Sequence, residues 1–321
     1  MRICFAPLEG VTDDVFRRVH HARFNGIDRY FIPFVSPTQN LVFTGREMRA
    51  VAPENNRGVP AVPQILTKDA GQFLWAAQAL ADLGYAEVNL NLGCPSGTVT
   101  AKGKGAGMLR DPGALTAFLD EVYAKAPVPV SVKTRIGYED AAEWPELLRI
   151  LTTYPLKELI IHPRTRNEFY GGEIHCSAYA QAMERTQLPL IYNGDLFTAQ
   201  DCRSLMAAYP GTSALMLGRG LLANPALARE ACGGAPLQLA ELREFHDALV
   251  RAYEAQYQEN VTLGRMREVM NHITCCFEAP EKPRKAIRKA KTLSAYRTAA
   301  EMLFEGHALR EQPCFRRTDN E

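Results

Sequence analysis

Short apolar runs rich in β-formers alternate with longer helical segments over roughly the first 220 residues, and this rhythm limits the fold more than any other feature. The runs fall at residues 3–6, 30–35, 61–66, 88–92, 128–132, 158–162, 188–192 and 214–217. Helical patterns at 69–83, 112–125, 143–152, 176–186 and 198–208 lie between them, and the connection 35–61 is the least regular. Strands alternating with helices build a parallel sheet. Eight such units favour a closed (β/α)8 TIM barrel, and no GxGxxG follows the first strand to favour an open dinucleotide-binding sheet. After about residue 237 only helical patterns remain, at 239–259, 263–277, 283–296 and 298–305. The expected architecture is therefore α/β, with a barrel over residues 1–236 and a smaller all-helical domain over 237–321.

Global charge names no partner, because 37 Lys and Arg nearly balance 36 Asp and Glu. Any nucleic-acid site has to come from local clustering. The opening Met1-Arg2-Ile3-Cys4-Phe5-Ala6-Pro7 is too short an apolar run for a signal peptide, and no apolar stretch approaches the roughly 20 residues that span a bilayer. A cytoplasmic protein is expected. Its eight cysteines are scattered without CxxC spacing, so reduced thiols are expected and no metal site is assigned.

Functional groups of such barrels sit at the carboxyl ends of the strands. Here those ends are polar in an apolar context: Pro7-Leu8-Glu9-Gly10, Gln64, Asn91 with Cys94, Lys133 with Arg135, His162 with Arg164, Asn193-Gly194-Asp195 and Gly218-Arg219-Gly220. Each has a bland reading taken singly. Gln64 could cap a ladder, His162 could be a satisfied core histidine, and Lys133 could snorkel to solvent. Their coincidence at seven of eight strand ends argues for one convergent site.

In the run Glu87-Val88-Asn89-Leu90-Asn91-Leu92-Gly93-Cys94-Pro95-Ser96, a strand pattern meets a glycine, a cysteine and a proline. Gly93 permits a sharp turn and Pro95 cannot continue a ladder, so Cys94 is expected on a loop at a strand end. The glycine-rich Gly103-Lys104-Gly105-Ala106-Gly107 follows a loop and is expected to form a mobile flap. The turns after the last two strands lie where many barrels bind phosphate, through glycine-turn N–H groups and an arginine. A phosphate-bearing cofactor follows. If it is a flavin, Lys133 beneath the ring would stabilise negative charge, Gln64 could bond the ring edge, and Cys94 could act as acid from the opposite face. In the tail, Lys282, Arg284, Lys285, Arg288, Lys289, Lys291 and Arg297 accumulate with no intervening acid. That face is either merely solvated or a contact for a phosphate backbone.

Ala6-Pro7-Leu8-Glu9-Gly10-Val11-Thr12-Asp13, Asn91-Leu92-Gly93-Cys94-Pro95-Ser96, Val132-Lys133-Thr134-Arg135-Ile136-Gly137, His162-Pro163-Arg164-Thr165 and the two terminal turns together resemble the tRNA-dihydrouridine synthase family. The resemblance implies an FMN enzyme that uses NADPH to reduce chosen tRNA uridines to 5,6-dihydrouridine. It implies FMN contacts at Pro7, Leu8, Glu9, Gln64, Lys133, His162, Asn193, Gly194, Asp195, Gly218 and Arg219. Hydride would pass from flavin N5 to uracil C6, Cys94 would protonate C5, and Asn91 would help hold the uracil. Arg135, Arg164, Arg284, Lys285, Arg288 and Lys289 would contact tRNA, and the enzyme would act as a monomer without an obligate protein partner. Two positions depart from the family's common pattern: Asn89 stands where aspartate is usual, and Pro163 where glycine follows the histidine.

Three other readings use the same residues. An FMN barrel acting on a small pyrimidine or enone needs no basic tail. A Schiff-base lyase with Lys133 as nucleophile needs no flavin. A non-catalytic RNA-binding protein predicts tRNA binding without yellow colour.

Overall fold

A computed structural model describes residues 1–315. The last six residues of the expected helical domain lie outside the described residues. Eight parallel strands close on one another in sequence order: β1 (Ile3–Phe5), β2 (Arg29–Val35), β3 (Ala61–Ile65), β4 (Val88–Leu92), β5 (Val130–Gly137), β6 (Leu159–Thr165), β7 (Leu190–Tyr192) and β8 (Ala214–Leu217). The barrel is thus the one expected, since each strand is followed by a crossover that packs outside it.

Inward-facing Cys4, Ala6, Phe31, Val62, Ile160, Ile191, Ala214 and Met216 form a small apolar core of their own inside the barrel. A second, larger core fills the space between strands and helices. At the amino end Arg29 pairs with Glu158 at 2.5 Å and with Glu87 at 3.2 Å, closing the barrel floor with matched charges. Two strands run further than expected. β5 continues through Gly137 and β6 through Thr165, so Lys133, Arg135, His162 and Arg164 project from strands rather than from the loops beyond them. Pro163 is tolerated within β6 because the β5–β6 register slips between Arg135 and Gly137, where a bulge interrupts the ladder. The irregular connection 35–61 contains a helix, Gly45–Val51, whose Thr44 and Glu47 form a capping box.

The tail folds as helices Leu239–Glu254, Glu259–Ile273, Glu281–Lys289 and Leu293–Gly306. The last two break apart at residues 290–292, where Thr292 accepts the Ala295 N–H and starts a new helix. Lys291 and Arg297 therefore leave the face carrying Arg284 and Arg288. Arg297 instead pairs with Glu254 at 2.5 Å. The tail packs directly on the barrel: Phe245 meets Phe16 and Phe24 edge-on at 5.8 and 5.2 Å, and Tyr253 Oη donates to Asp13 at 2.9 Å. Among the described residues, no helix is long and apolar enough to cross a membrane.

Candidate active site

Side chains at alternate positions point into the barrel. The register sets Gln64 beside Asn89, Asn91 beside Lys133, and Arg135 beside His162, so the polar strand ends converge at the carboxyl mouth. Beneath that mouth runs a continuous amide chain. Asn89 Nδ2 donates to Ser131 Oγ at 2.8 Å, and Gln64 Nε2 donates to Asn89 Oδ1 at 2.7 Å. Asn91 Nδ2 donates to Gln64 Oε1 at 2.7 Å, and Asn91 Oδ1 accepts the backbone N–H groups of Gly93 and Cys94 at 3.0 and 2.9 Å. Every amide is oriented by its neighbour, so the Cys94 loop is built on the strands.

Other groups pin the same loop from the side. Arg135 Nε donates to Gly93 O at 3.0 Å and Nη1 to Thr165 O at 2.7 Å, while Arg166 Nε donates to Pro95 O at 3.1 Å. The Ala106 N–H donates to Cys94 O at 3.1 Å. Gly105, at φ +58°, packs so closely that a Cβ there would stand 3.0 Å from Cys94 Cβ, and a Cβ on Gly107 would stand 2.9 Å from Thr100 O. The glycine-rich segment is therefore a buried brace of the Cys94 loop rather than the expected flap, because its glycines are needed for close approach. Cys94 itself is half-buried. Burial raises its thiol pKa above the ordinary value, against the opposing pull of the Ser96 backbone, Arg135 and Lys133. It is a protonated thiol at neutral pH.

Lys133 rises from β5 into the mouth. Burial, reinforced by the Arg135 cation, lowers its pKa to about 7. Its ammonium makes no hydrogen bond among the described residues, although it retains partial access to solvent. His162 is buried, its Nε2 has no partner among the described residues, and burial with the surrounding Arg135 and Lys133 holds it neutral. On the far side, Arg164 grips Asp195 with two bonds of 2.9 and 2.6 Å, and Arg219 adds a third at 2.8 Å. Asn193 Nδ2 donates to Met216 O at 2.8 Å, tying the two terminal turns together. Gly218 lies against Ala6 and Leu8, which brings the β1 loop to the same rim.

Pro7, Leu8, Lys133, Asn193, Gly194, Asp195, Gly218 and Arg219 thus border one partly open mouth, and Cys94, on the loop after β4, is an electrostatic neighbour of Lys133 on the adjacent β5. Several expected contacts need correction. Gln64 is fully buried and spends its amide on Asn89 and Asn91, so it orients Asn91 instead of meeting a flavin ring edge. Arg135 and Arg164 are buried and committed to Gly93, Thr165, Gly172 and Asp195, so they brace the site and are not accessible to tRNA. Glu9 is exposed at the outer rim and pairs with Arg46. In the tail, Lys285, Arg288 and Lys289 are exposed, but Arg284 is half-buried against Asn271 at 3.2 Å. The sequence reading missed Arg166 and Tyr170. Tyr170 stands 5.3 Å from the Arg135 guanidinium and 5.0 Å from that of Arg219, and its place beside the Gly171-Gly172 turn after β6 was the available signal.

The mouth fits an anionic cofactor. Arg135, Lys133, Arg164 and Arg219 all act electrostatically on His162, Asp195 pairs with Arg164 and Arg219, and His162 Nε2, unpartnered among the described residues, is a group that a polar ring system can satisfy. The chain matches the Dihydrouridine synthase (Dus) family over residues 4–312. It belongs to that family. Among curated relatives, a tRNA-dihydrouridine(16) synthase of Aquipseudomonas alcaligenes is 32% identical over 241 residues, covering 72% of this chain and 75% of the relative. A tRNA-dihydrouridine synthase B of Pasteurella multocida is 31% identical, covering 71% and 68%. A tRNA-dihydrouridine(16) synthase of Pseudomonas putida is 29% identical and covers 85% and 88%. Solved structures of similar fold include a morphinone reductase, with TM-score 0.52, 14% identity and coverage of 74% of this chain and 87% of that one. The old yellow enzyme from Trypanosoma cruzi has TM-score 0.52 and 11% identity, covering 80% and 94%. At such identity these structures speak to the Dus chain's fold alone.

Proposed function

We propose that this Dus-family chain is an FMN-dependent tRNA-dihydrouridine synthase that takes its electrons from NADPH and works as a monomer. Pro7, Leu8, Lys133, His162, Asn193, Gly194, Gly218 and Arg219 would hold FMN, with Asp195 fixing Arg164 and Arg219 around the phosphate end. When bound and reduced, the flavin supplies the hydride that a uracil double bond accepts. The remaining work belongs to this chain. Cys94 holds the proton that C5 needs, because its buried thiol stays un-ionised at neutral pH. Asn91 presents the loop and lies beside Lys133, where a uracil carbonyl can be held.

The observation that carries this reading is the protonated Cys94 on a rigid loop, facing an unpartnered Lys133 in a cation-rich mouth. A uridine has to leave its stack to reach that mouth, at a cost of roughly a few kcal/mol, and backbone contacts would offset it. Helix Glu281–Lys289 presents Lys285, Arg288 and Lys289 for that purpose. The test is incubation of the purified yellow protein with unmodified tRNA and NADPH, followed by mass spectrometry for dihydrouridine. Failure to form it across a full tRNA pool would sink the proposal. The relatives' names divide between position 16 and synthase B, so mapping the product assigns the uridine.

A further inference from the structure

Two loops that rise from adjacent strands bring three lysines together at the barrel mouth. Lys68 follows β3, while Lys102 and Lys104 belong to the turn that follows the Cys94 loop. Lys68 and Lys102 are exposed and Lys104 is half-buried. Gly103, at φ +70°, folds this turn so that its Cβ position lies 3.6 Å from Lys68 Nζ. Lys104 Nζ donates to Ser36 Oγ at 2.9 Å. Among the described residues, none of the three pairs with a carboxylate within 4.0 Å.

Two acids near these loops are oriented by backbone N–H groups rather than by the lysines. Asp69 accepts the Gln72 N–H as a helix cap, and Glu47 accepts the N–H groups of Ser36 and Thr44. Like charges held together this way repel, and Lys104 loses proton affinity to its burial, to Lys102 and to Lys68, which Glu47 offsets in part. The turn is also joined to the catalytic loop, through Ala106 N–H to Cys94 O and through Gly105 against Cys94 Cβ.

We propose that Lys68, Lys102 and Lys104 form a phosphate-backbone contact for tRNA beside the Cys94 loop, distinct from the basic tail helix. This rests on the tRNA reading above and deepens it. The arginines expected to serve the barrel side, Arg135 and Arg164, are buried, whereas Lys68 and Lys102 are exposed beside the Cys94 loop. A phosphate held there lies next to the loop that carries the acid, so backbone binding and placement of the target base are one event.

The test uses the flavin-loaded enzyme and unmodified tRNA. Lys68 and Lys102 are replaced together by alanine, and Lys104 is left intact because it also bonds Ser36. Each lost phosphate contact lowers the slope of log affinity against log salt by about 0.7–0.9, so the double variant should lose about 1.5 from that slope. Its KM for tRNA should rise about tenfold, with flavin content unchanged, and the Lys68→Arg/Lys102→Arg pair should restore both slope and KM. Lys125→Ala, at the opposite end of the barrel, is the charge control. An unchanged slope in the double alanine variant overturns the proposal, as does an equal loss of slope in Lys125→Ala. Wild-type enzyme that binds no tRNA overturns the underlying reading instead.

Discussion

The Cys94 backbone N–H donates to Asn91 Oδ1 at 2.9 Å, so the residue expected to hold the substrate also sets the position of the acid. The same oxygen accepts from Gly93, and the other end of the amide is spent on Gln64. Asn91→Ala removes all three bonds and leaves buried partners unsatisfied. The expected loss of stability is about 2–4 kcal/mol, from roughly 1–3 kcal/mol for each unpaired buried group with partial rescue by water. Urea unfolding measures it, and a loss below about 0.5 kcal/mol would contradict the bonding described.

Cys94→Ala removes the proton donor and keeps the loop, since the bonds from Asn91, Arg135 and Arg166 reach it through backbone atoms and do not need the thiol. General acids contribute about 10²–10⁴ in rate, so tRNA turnover should fall at least a hundredfold while bound flavin and its reduction by NADPH persist. Because burial raises the thiol pKa, the protonated form dominates through neutral pH. Turnover that depends on this acid should hold steady there and fall only on the alkaline side of the ordinary thiol range. An optimum that moves to lower pH would assign the proton to another group.

Lys133 gives two opposite pH trends. Its pKa is near 7 in the folded cofactor-free protein against an ordinary 10.5, so between those values the unfolded chain carries a proton that the folded chain does not. Stability of the cofactor-free protein should therefore rise with pH across that window. Affinity for FMN should fall over the same range, because the ammonium is the form that suits an anionic ligand. Flavin titrations and thermal melts on wild type and Lys133→Met separate the two, and the variant should lose both slopes.

The barrel and the convergence of its strand ends were legible in the sequence because they follow from local periodicity and from polar residues in apolar runs. Which of those polar residues touch a ligand was not legible, since it depends on partners far along the chain. Gln64 reads as a ligand contact until Asn89 and Asn91 are seen on either side of it, 25 and 27 residues away. Arg135 reads as a surface cation until the strand is seen to continue to Gly137 and carry it inside. The Gly103 to Gly107 run illustrates the same limit, because glycine composition fits a mobile flap and a tight brace equally well.

Asn89 tests whether the amide chain matters beyond its own bonds. Asn89→Asp keeps the acceptor for Gln64, and Ser131 Oγ can turn its proton from Val88 O, 3.4 Å away, to the new carboxylate. That variant should retain turnover within about threefold. Asn89→Leu cannot hold Gln64 or Ser131, and should cost about 2–3 kcal/mol in stability and about tenfold in turnover through a loosened Asn91. Equal turnover in the two variants would show that Gln64 keeps its orientation without Asn89.

The tail helix Glu281–Lys289 carries Lys285, Arg288 and Lys289 into solvent, while Arg284 is held by Asn271 and Arg297 by Glu254. Of these five, the first three are exposed to meet a phosphate backbone. Replacing them together with alanine should reduce the salt slope of tRNA binding by about 2–3, at roughly 0.7–0.9 for each phosphate released. Adding Arg284→Ala should change the slope little and lower stability instead, because it removes a bond between helices. A fourth decrement in slope from Arg284 would mean that this side chain leaves Asn271 when tRNA binds. No decrement from the first three would return the helix to a merely solvated face and leave the barrel rim to carry the electrostatics.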